Sequence, residues 1–147
     1  MPIPELCFQT YSSGNRYLKG NQLMRNVYVV DDSELVRERL IDMLSDVEEV
    51  RIIGATGDPE EAMAEIRILN PHAVILDIRM PGKSGIEVLR EIKKDEPSPV
   101  VIILTNYPYP QYQKECTEAG ADYFLNKSTE FNKIAKVLKG LPLNGQD

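Results

Sequence analysis

Five polar residues, each within two positions of the end of a predicted strand, are placed to do chemistry together. Two acids, Asp31 and Asp32, follow the first strand, and a third acid, Asp77, ends a continuous apolar run. Thr105 and Lys127 end two later strands. The carboxyl ends of parallel strands open on one edge of a sheet, where ligands of open α/β sheets bind. We therefore expect these five side chains to meet in one crevice.

Three carboxylates in one crevice repel each other, since two unit charges ~4 Å apart repel by roughly 4 kcal/mol at an effective dielectric near 20. A divalent cation relieves this repulsion, and Mg²⁺ suits a partial site of carboxylates completed by waters and a phosphate. Lys127 adds a positive charge and Thr105 a hydroxyl, both suited to phosphoryl oxygens. An Asp77 nucleophile beside Mg²⁺, a lysine and a hydroxyl has the groups needed to form an aspartyl phosphate.

The spacing of apolar residues predicts the strands and helices that position these five residues. Strands are predicted at residues 26–30, 50–55, 73–76, 100–104 and 123–125. Helices are predicted from 33 to 44, from 58 to before Pro71, from 84 to Pro97, from 111 to 119 and from 130 to 138. Two helix starts are strong: Asp58 precedes a proline and glutamates, and Ser84 with Glu87 forms a capping box.

Alternation of five strands and five helices predicts one α/β domain. We expect a five-stranded parallel sheet in the order 2-1-3-4-5, doubly wound with helices on both faces, as in flavodoxin-like folds. The domain is predicted over 25–140, with a flexible extension at 1–24 and a short tail at 141–147. Alternatively, residues 16–24 form a short docked helix, or translation starts at Met24.

Composition excludes several classes of protein. The chain of 147 residues has a formal net charge of −6, which argues against a direct nucleic-acid binder. Cys7 and Cys116 are too few for a disulfide framework or a zinc cluster. The sequence shows no apolar run long enough to span a bilayer and no secretory signal. We expect a cytoplasmic protein with no membrane partner.

Taken together and in order, the strand-end motifs resemble the receiver domain of bacterial two-component response regulators, nearest to the NarL-like type. The motifs are Asp31-Asp32 after the first strand, LDIRMPGKSG around Asp77, Thr105 after VVIIL, and GADYFLNK ending in Lys127. The resemblance covers residues 25–138. It implies a single-domain signalling protein that turns over no diffusible substrate and is not an enzyme in that sense.

The resemblance also implies roles for the site residues. Asp77 is the expected phosphoacceptor, taking the phosphoryl group from a histidine kinase. Asp32, Asp77 and the backbone carbonyl of Arg79 are expected to bind Mg²⁺ directly, and Asp31 through a bound water. Lys127 is expected to pair with the phosphate.

Two further residues are implied to act as a switch. Thr105 is expected to swing towards a phosphoryl oxygen while Phe124 turns inward. The face made by helix four, strand five and helix five is expected to carry this change to a protein partner. The alternative output is phosphate relay to a histidine phosphotransfer domain.

Several residues depart from the family pattern. Ser128 replaces the usual proline after the lysine, so we expect a trans bond there, because a cis bond before a non-proline residue costs roughly 2.5–4 kcal/mol. Asn106 stands where a small residue is usual and is expected either to crowd the site or to donate to the phosphate. Pro108 and Pro110 stiffen the loop that is expected to move.

Arg79 and Tyr107 lie two residues beyond Asp77 and Thr105, where the family tunes the lifetime of the phosphoryl group. A cation and a bulky ring at these positions would shield the phosphate from water. The sequence therefore predicts slow self-dephosphorylation.

Two other functions stay open. A pseudo-receiver would act as a scaffold without phosphorylation, and Asn106 and the stiff loop favour it slightly; Mg²⁺ affinity separates the two. A phosphatase of the haloacid dehalogenase type would need Asp-x-Asp on the first strand, whereas this chain has Asp31-Asp32-Ser33 there. Turnover of a small phosphate ester is its test.

Overall fold

The computed structural model of the chain describes residues 24–142. All of the predicted extension except Met24, and the predicted tail beyond Pro142, lie outside the described residues. Within them the chain forms strands β1 (Arg25–Val30), β2 (Val50–Thr56), β3 (Ala73–Leu76), β4 (Val100–Thr105) and β5 (Tyr123–Asn126). The helices are α1 (Glu34–Leu44), α2 (Pro59–Leu69), α3 (Gly85–Ile92), α4 (Pro110–Glu118) and α5 (Lys133–Lys139).

The sheet is parallel throughout and has the order β2-β1-β3-β4-β5, which confirms the predicted topology. The two strands that end in acids are neighbours, with Val30 level with Leu76. β3 lies between β1 and β4, and all four of its residues are buried. Asp77 therefore leaves the sheet at its centre.

Alternate residues of the central strands feed two hydrophobic layers. Tyr28, Val74 and Ile103 belong to one layer, which contains apolar residues of α2, α3 and α4. Val29, Ile75 and Ile102 belong to the other layer, which contains apolar residues of α1 and α5. Burial on both faces explains why these strands are continuous Val, Ile and Leu runs.

The helices α1, α2 and α3 each begin at a capping side chain, and two of these residues, Asp58 and Ser84, were predicted. The Ser33 hydroxyl accepts the Val36 N–H, and the Asp58 carboxylate accepts the Glu60 N–H. The Ser84 hydroxyl accepts the Ile86 N–H. Each cap satisfies an N–H group that the helix itself cannot pair.

Two helices are shorter than predicted. α3 ends at Ile92 rather than running to Pro97, and the next residue, Lys93, donates from its ammonium to the Pro99 carbonyl and to the Asp122 carboxylate. α5 begins at Lys133 rather than at residue 130.

The late start of α5 has a local cause. The Glu130 carboxylate accepts the Asn126 N–H, and the Asn126 side-chain oxygen accepts the Ser128 N–H. These side-chain bonds hold residues 126–130 in turns, and such bonds compete with helix formation.

Gly85 allows α3 to begin directly against the backbone of the central acid. A Cβ on Gly85 would lie 1.9 Å from the Asp77 carbonyl oxygen and 2.9 Å from the Ile78 Cα. The Gly85 N–H donates to the Ile78 carbonyl at 2.6 Å. Only glycine fits this approach, and the contact connects the start of α3 to Asp77.

Replacing Gly85 with alanine should therefore lower the free energy of unfolding by about 2 kcal/mol or more, because the Asp77 backbone must move. Urea unfolding measures this. Gly140→Ala is the matched control: its Cβ would lie 3.5 Å from the nearest atom, and its φ is −83°. The free energy of unfolding of Gly140→Ala should be equal to that of wild type or slightly higher. Equal effects of the two substitutions would contradict the close approach.

Candidate functional site

Three carboxylates converge at the carboxyl edge of the sheet, as predicted. Asp31 and Asp32 follow β1 and Asp77 follows β3, and one oxygen from each acid lies within 4.8 Å of the others. Asp31 and Asp77 are buried, whereas Asp32 is exposed. The Asp77 N–H donates to the Val30 carbonyl at 2.9 Å, so the backbone pairing of β1 and β3 brings the acids together.

Lys127 reaches this acid cluster from the end of β5. Its Nζ lies 2.8 Å from Asp31 Oδ2 and 3.6 Å from Asp77 Oδ2, and the side chain is only 10% exposed. The Lys127 N–H donates to the Thr105 carbonyl at 2.7 Å, which fixes the lysine backbone beside β4. Sequence reasoning placed Lys127 opposite the acids, but did not predict that Asp31 would be its nearer partner.

The pKa of Asp77 is raised to about 6. Burial is the main cause, and the neighbouring carboxylates of Asp31 and Asp32 add to it; Lys127 and the Ile78 N–H act in the opposite direction. The raised pKa shows that the nearby lysine does not fully offset burial and like-charge repulsion. A bound cation would lower it.

The acid cluster fits a magnesium ion. Its donors are carboxylate oxygens, the ligands that hard cations prefer, and Mg²⁺ is commonly held by one or two carboxylates while it keeps several waters. The exposed Asp32 leaves one side of the cluster open to solvent. Asp31, Asp32 and Asp77 are the residues that could hold the ion.

The predicted switch residues lie close to the cluster in the sheet. Thr105 is fully buried, and its hydroxyl accepts the Tyr107 N–H at 2.8 Å. Phe124 is level with Ile103, which is level with Leu76, and it packs against the layer that contains α2, α3 and α4. Their coupled movement stays a prediction, because a single conformation does not test it.

Arg79 and Tyr107 contact each other beside the site. The Arg79 guanidinium carbon lies 4.3 Å from the centroid of the Tyr107 ring, in a cation–π arrangement. Two more tyrosines extend this contact towards α4. The Tyr109 ring centroid is 6.4 Å from that of Tyr107 and 5.8 Å from that of Tyr112. The role of the Arg79 carbonyl as a metal ligand stays a prediction.

The two loops at the ends of β4 and β5 meet at a polar contact. The Ser128 hydroxyl donates to the Asn106 side-chain oxygen at 3.4 Å. The peptide bond before Ser128 is trans, as predicted, since the one cis bond among residues 24–142 is Glu96–Pro97. Asn106 therefore has a partner on the neighbouring loop.

Sequence reasoning missed one residue at the site. Arg37, on α1, donates from Nη1 to the backbone carbonyl of Asp31 at 2.7 Å. Its only sequence signal is its place on the helix that directly follows the two acids. Burial and helix periodicity do not predict that a side chain turns back towards the preceding loop.

None of the helices in the described part of the chain is long and apolar enough to cross a membrane.

Comparison with known proteins gives a consistent result. The family model of the response regulator receiver domain matches residues 27–139 of this chain. The DNA-binding transcriptional activator DevR/DosR of Mycobacterium tuberculosis is 33% identical over 116 residues, which are 79% of this chain and 54% of that protein. The chain thus spans about half the length of the curated relatives it matches.

Two solved structures show the same likeness. The receiver domain of the response regulator NarL from Mycobacterium tuberculosis has a TM-score of 0.74 and 29% identity, covering 80% of this chain and 98% of that one. A chain of the CheX–CheY–BeF3–Mg²⁺ complex from Borrelia burgdorferi has a TM-score of 0.67 and 29% identity. The match covers 76% of this chain and 87% of that one. Both agree with the predicted resemblance, the first with its NarL-like form.

Asp77→Asn should stabilise the metal-free protein at high pH. The folded-state pKa is raised to about 6, above that of an unfolded aspartate, so the ionised acid destabilises the fold as the pH rises through this range. We expect a gain of about 1–3 kcal/mol in unfolding free energy at pH 8, which shrinks towards zero near pH 4.

Urea unfolding at both pH values, with a chelator present, measures the gain. Asp46→Asn, an exposed acid in the turn after α1, is the control and should show a much smaller effect. A destabilised Asp77→Asn variant at pH 8 would contradict the repulsion.

Proposed function

This chain belongs to the response regulator receiver domain family of two-component signalling, and we propose that it accepts a phosphoryl group on Asp77 in a Mg²⁺-dependent reaction. The observation that carries the proposal is the convergence of three carboxylates and a nearly buried lysine at one sheet edge. The structure of one relative is a complex that contains Mg²⁺, which supports the same metal here. The proposed donor is the phosphohistidine of a histidine kinase or of a histidine phosphotransfer domain.

The transfer uses the side chains already described. A carboxylate oxygen of Asp77 attacks phosphorus, forming a P–O bond as the P–N bond to the donor imidazole breaks. The bonding electrons leave with the imidazole nitrogen. Asp31, Asp32 and Asp77 would hold the Mg²⁺ ion, which when bound neutralises negative charge on the phosphoryl oxygens.

Lys127 supplies the protein's own positive charge for this step. Its Nζ is 3.6 Å from Asp77 Oδ2, near enough to pair with a phosphoryl oxygen attached to that carboxylate. Pairing with phosphate would require the lysine to loosen its bond to Asp31, which Mg²⁺ would favour by neutralising that acid. We propose that this exchange of partners accompanies phosphorylation.

The output would be conformational rather than chemical. The Thr105 hydroxyl would turn towards the phosphoryl group and release the Tyr107 N–H that it now accepts. Phe124 would follow inward and change the face made by α4, β5 and α5, which would then bind a protein partner. In this proposal no diffusible substrate is turned over.

A scaffold role without phosphorylation is the second candidate. The contact between Ser128 and Asn106 favours it, because it joins two loops that would have to separate around a phosphoryl group. The complete acid cluster and Lys127 favour phosphorylation instead. Mg²⁺ affinity and phosphoryl uptake decide between the two.

Incubation with acetyl phosphate or phosphoramidate should add the mass of one phosphoryl group, only when Mg²⁺ is present and not in Asp77→Asn. Intact-protein mass spectrometry measures the gain. Mg²⁺ binding without any gain in mass would point to a blocked site or to a need for the kinase. Asn106→Ala would separate these two by restoring uptake only in the first case. Neither binding nor uptake would favour the scaffold.

Once formed, the phosphoryl group should be long-lived, since we expect the paired Arg79 and Tyr107 side chains to shield it from water. Tyr107→Glu removes the bulky ring, so we expect the half-life of the phosphorylated protein to shorten severalfold. Tyr109→Glu is the control, because Tyr109 is half exposed and extends this contact towards α4. An unchanged half-life in Tyr107→Glu would assign the stability to another cause.

A further inference from the structure

The peptide bond that joins Asp31 to Asp32 is held by a side chain from the following helix. Arg37 Nη1 donates to the Asp31 carbonyl oxygen at 2.7 Å. That oxygen belongs to the peptide plane that leads into Asp32. The orientation of this plane therefore sets the direction in which the Asp32 side chain leaves the loop.

The same peptide is confined on its other side by Gly57, the residue after β2. A Cβ on Gly57 would lie 2.9 Å from the Asp32 Cα, 3.2 Å from the Asp31 carbonyl oxygen and 2.8 Å from Arg37 Nη1. Since real Cβ atoms do not come as close as 2.9 Å to a backbone atom, a side chain at position 57 would force the Asp31–Asp32 backbone to shift. The backbone of Gly57 and the Arg37 guanidinium thus fit closely around the link between the two acids.

Asp32 needs such an external support more than Asp31 does. The Asp31 carboxylate is buried, accepts the Ser33 N–H at 2.9 Å and pairs with Lys127 at 2.8 Å. Asp32 is exposed, so packing restrains it less. Its position depends on the peptide that carries it.

We propose that Arg37 is a positioning residue for the cation site, holding the Asp31–Asp32 peptide so that the Asp32 carboxylate faces Asp31 and Asp77. The inference rests on the proposed function, because the cation concerned is Mg²⁺. Arg37 binds no metal itself. It acts through the backbone of the acids, as partners in the outer shell of metal sites do.

A positioning role and a simple charge effect predict opposite results. A guanidinium beside a cation site repels the cation, so if charge alone mattered, removing it would tighten Mg²⁺ binding. If Arg37 positions Asp32, removing it weakens Mg²⁺ binding although a repelling charge is lost. The sign of the change in affinity distinguishes the two explanations.

The experiment is calorimetric titration of the full chain with Mg²⁺, comparing wild type, Arg37→Met and Arg37→Lys. We expect Arg37→Met to bind Mg²⁺ roughly 10- to 100-fold more weakly. Arg37→Lys keeps a donor for the Asp31 carbonyl and should recover much of the loss. Arg39→Met is the matched control: Arg39 also lies on α1, but its guanidinium stacks on Phe131 at 4.6 Å, so affinity should stay close to that of wild type.

Urea unfolding of each metal-free variant shows whether the fold is intact. If Arg37→Met does not fold, Arg37→Ala also removes both the charge and the donor, and weaker binding is again expected. Affinity that is unchanged or tighter in the folded neutral variant overturns the inference. A fall in affinity that lysine does not relieve at all also overturns it, because a shared donor is what the proposal requires.

Phosphorylation by acetyl phosphate separates this inference from the proposed function. In Arg37→Met the Mg²⁺ concentration for half-maximal phosphorylation should rise, while the yield at saturating Mg²⁺ stays as in wild type. A wild type that binds Mg²⁺ but takes up no phosphoryl group from acetyl phosphate indicates a blocked site or a need for the kinase, and the titrations still decide the role of Arg37. A wild type that binds no Mg²⁺ overturns both.

Discussion

Asp31 and Asp77 are buried next to each other, and the repulsion between these two acids is the constraint on which the site depends. Lys127 offsets part of it, at 2.8 Å from one acid and 3.6 Å from the other. The pKa of Asp77 is nevertheless raised, mainly by burial and then by the Asp31 carboxylate, so the lysine does not fully offset the two effects. Removal of Lys127 would leave the two buried acids without an opposite charge beside them. The three groups are therefore interdependent, and a cation or a phosphoryl group changes the balance among them.

The sheet makes this costly arrangement possible. β1 and β3 pack against hydrophobic layers on both faces of the sheet, which opposes separation of the acids at their ends. Gly85 brings the start of α3 onto the Asp77 backbone, and Gly57 brings the end of β2 onto the Asp32 backbone. The backbones of Asp77 and Asp32 are therefore held by close main-chain contacts, where a Cβ on the neighbouring glycine would clash. Such preorganisation would favour the proposed transfer of a phosphoryl group to Asp77, because the reacting groups are already held close together.

Two further side-chain contacts lie in the loops that follow β3, β4 and β5. The Arg79 guanidinium lies over the Tyr107 ring, and the Ser128 hydroxyl donates to the Asn106 side-chain oxygen. The acid cluster and Lys127 support the proposed phosphoryl transfer. In that proposal the loop contacts would limit how water and phosphoryl donors reach Asp77.

Much of this protein was predictable from local patterns in its sequence. The continuous apolar runs predicted buried parallel strands, the capping residues Asp58 and Ser84 predicted helix starts, and strand-end positions predicted that Asp31, Asp32, Asp77 and Lys127 would meet. These predictions succeed because strand burial, capping and sheet-edge geometry depend on short-range chemistry and on a single topology. The late start of α5 also has a local cause, the side-chain turns around Asn126, which the apolar pattern does not reveal.

Tertiary structure decided the contact of Lys93, the residue after α3, with Asp122. It also decided that Lys127 favours Asp31, that Arg79 stacks on Tyr107 and that Arg37 holds the Asp31 carbonyl. Such pairings depend on distances between elements and on side-chain direction, which residue spacing along the chain does not encode.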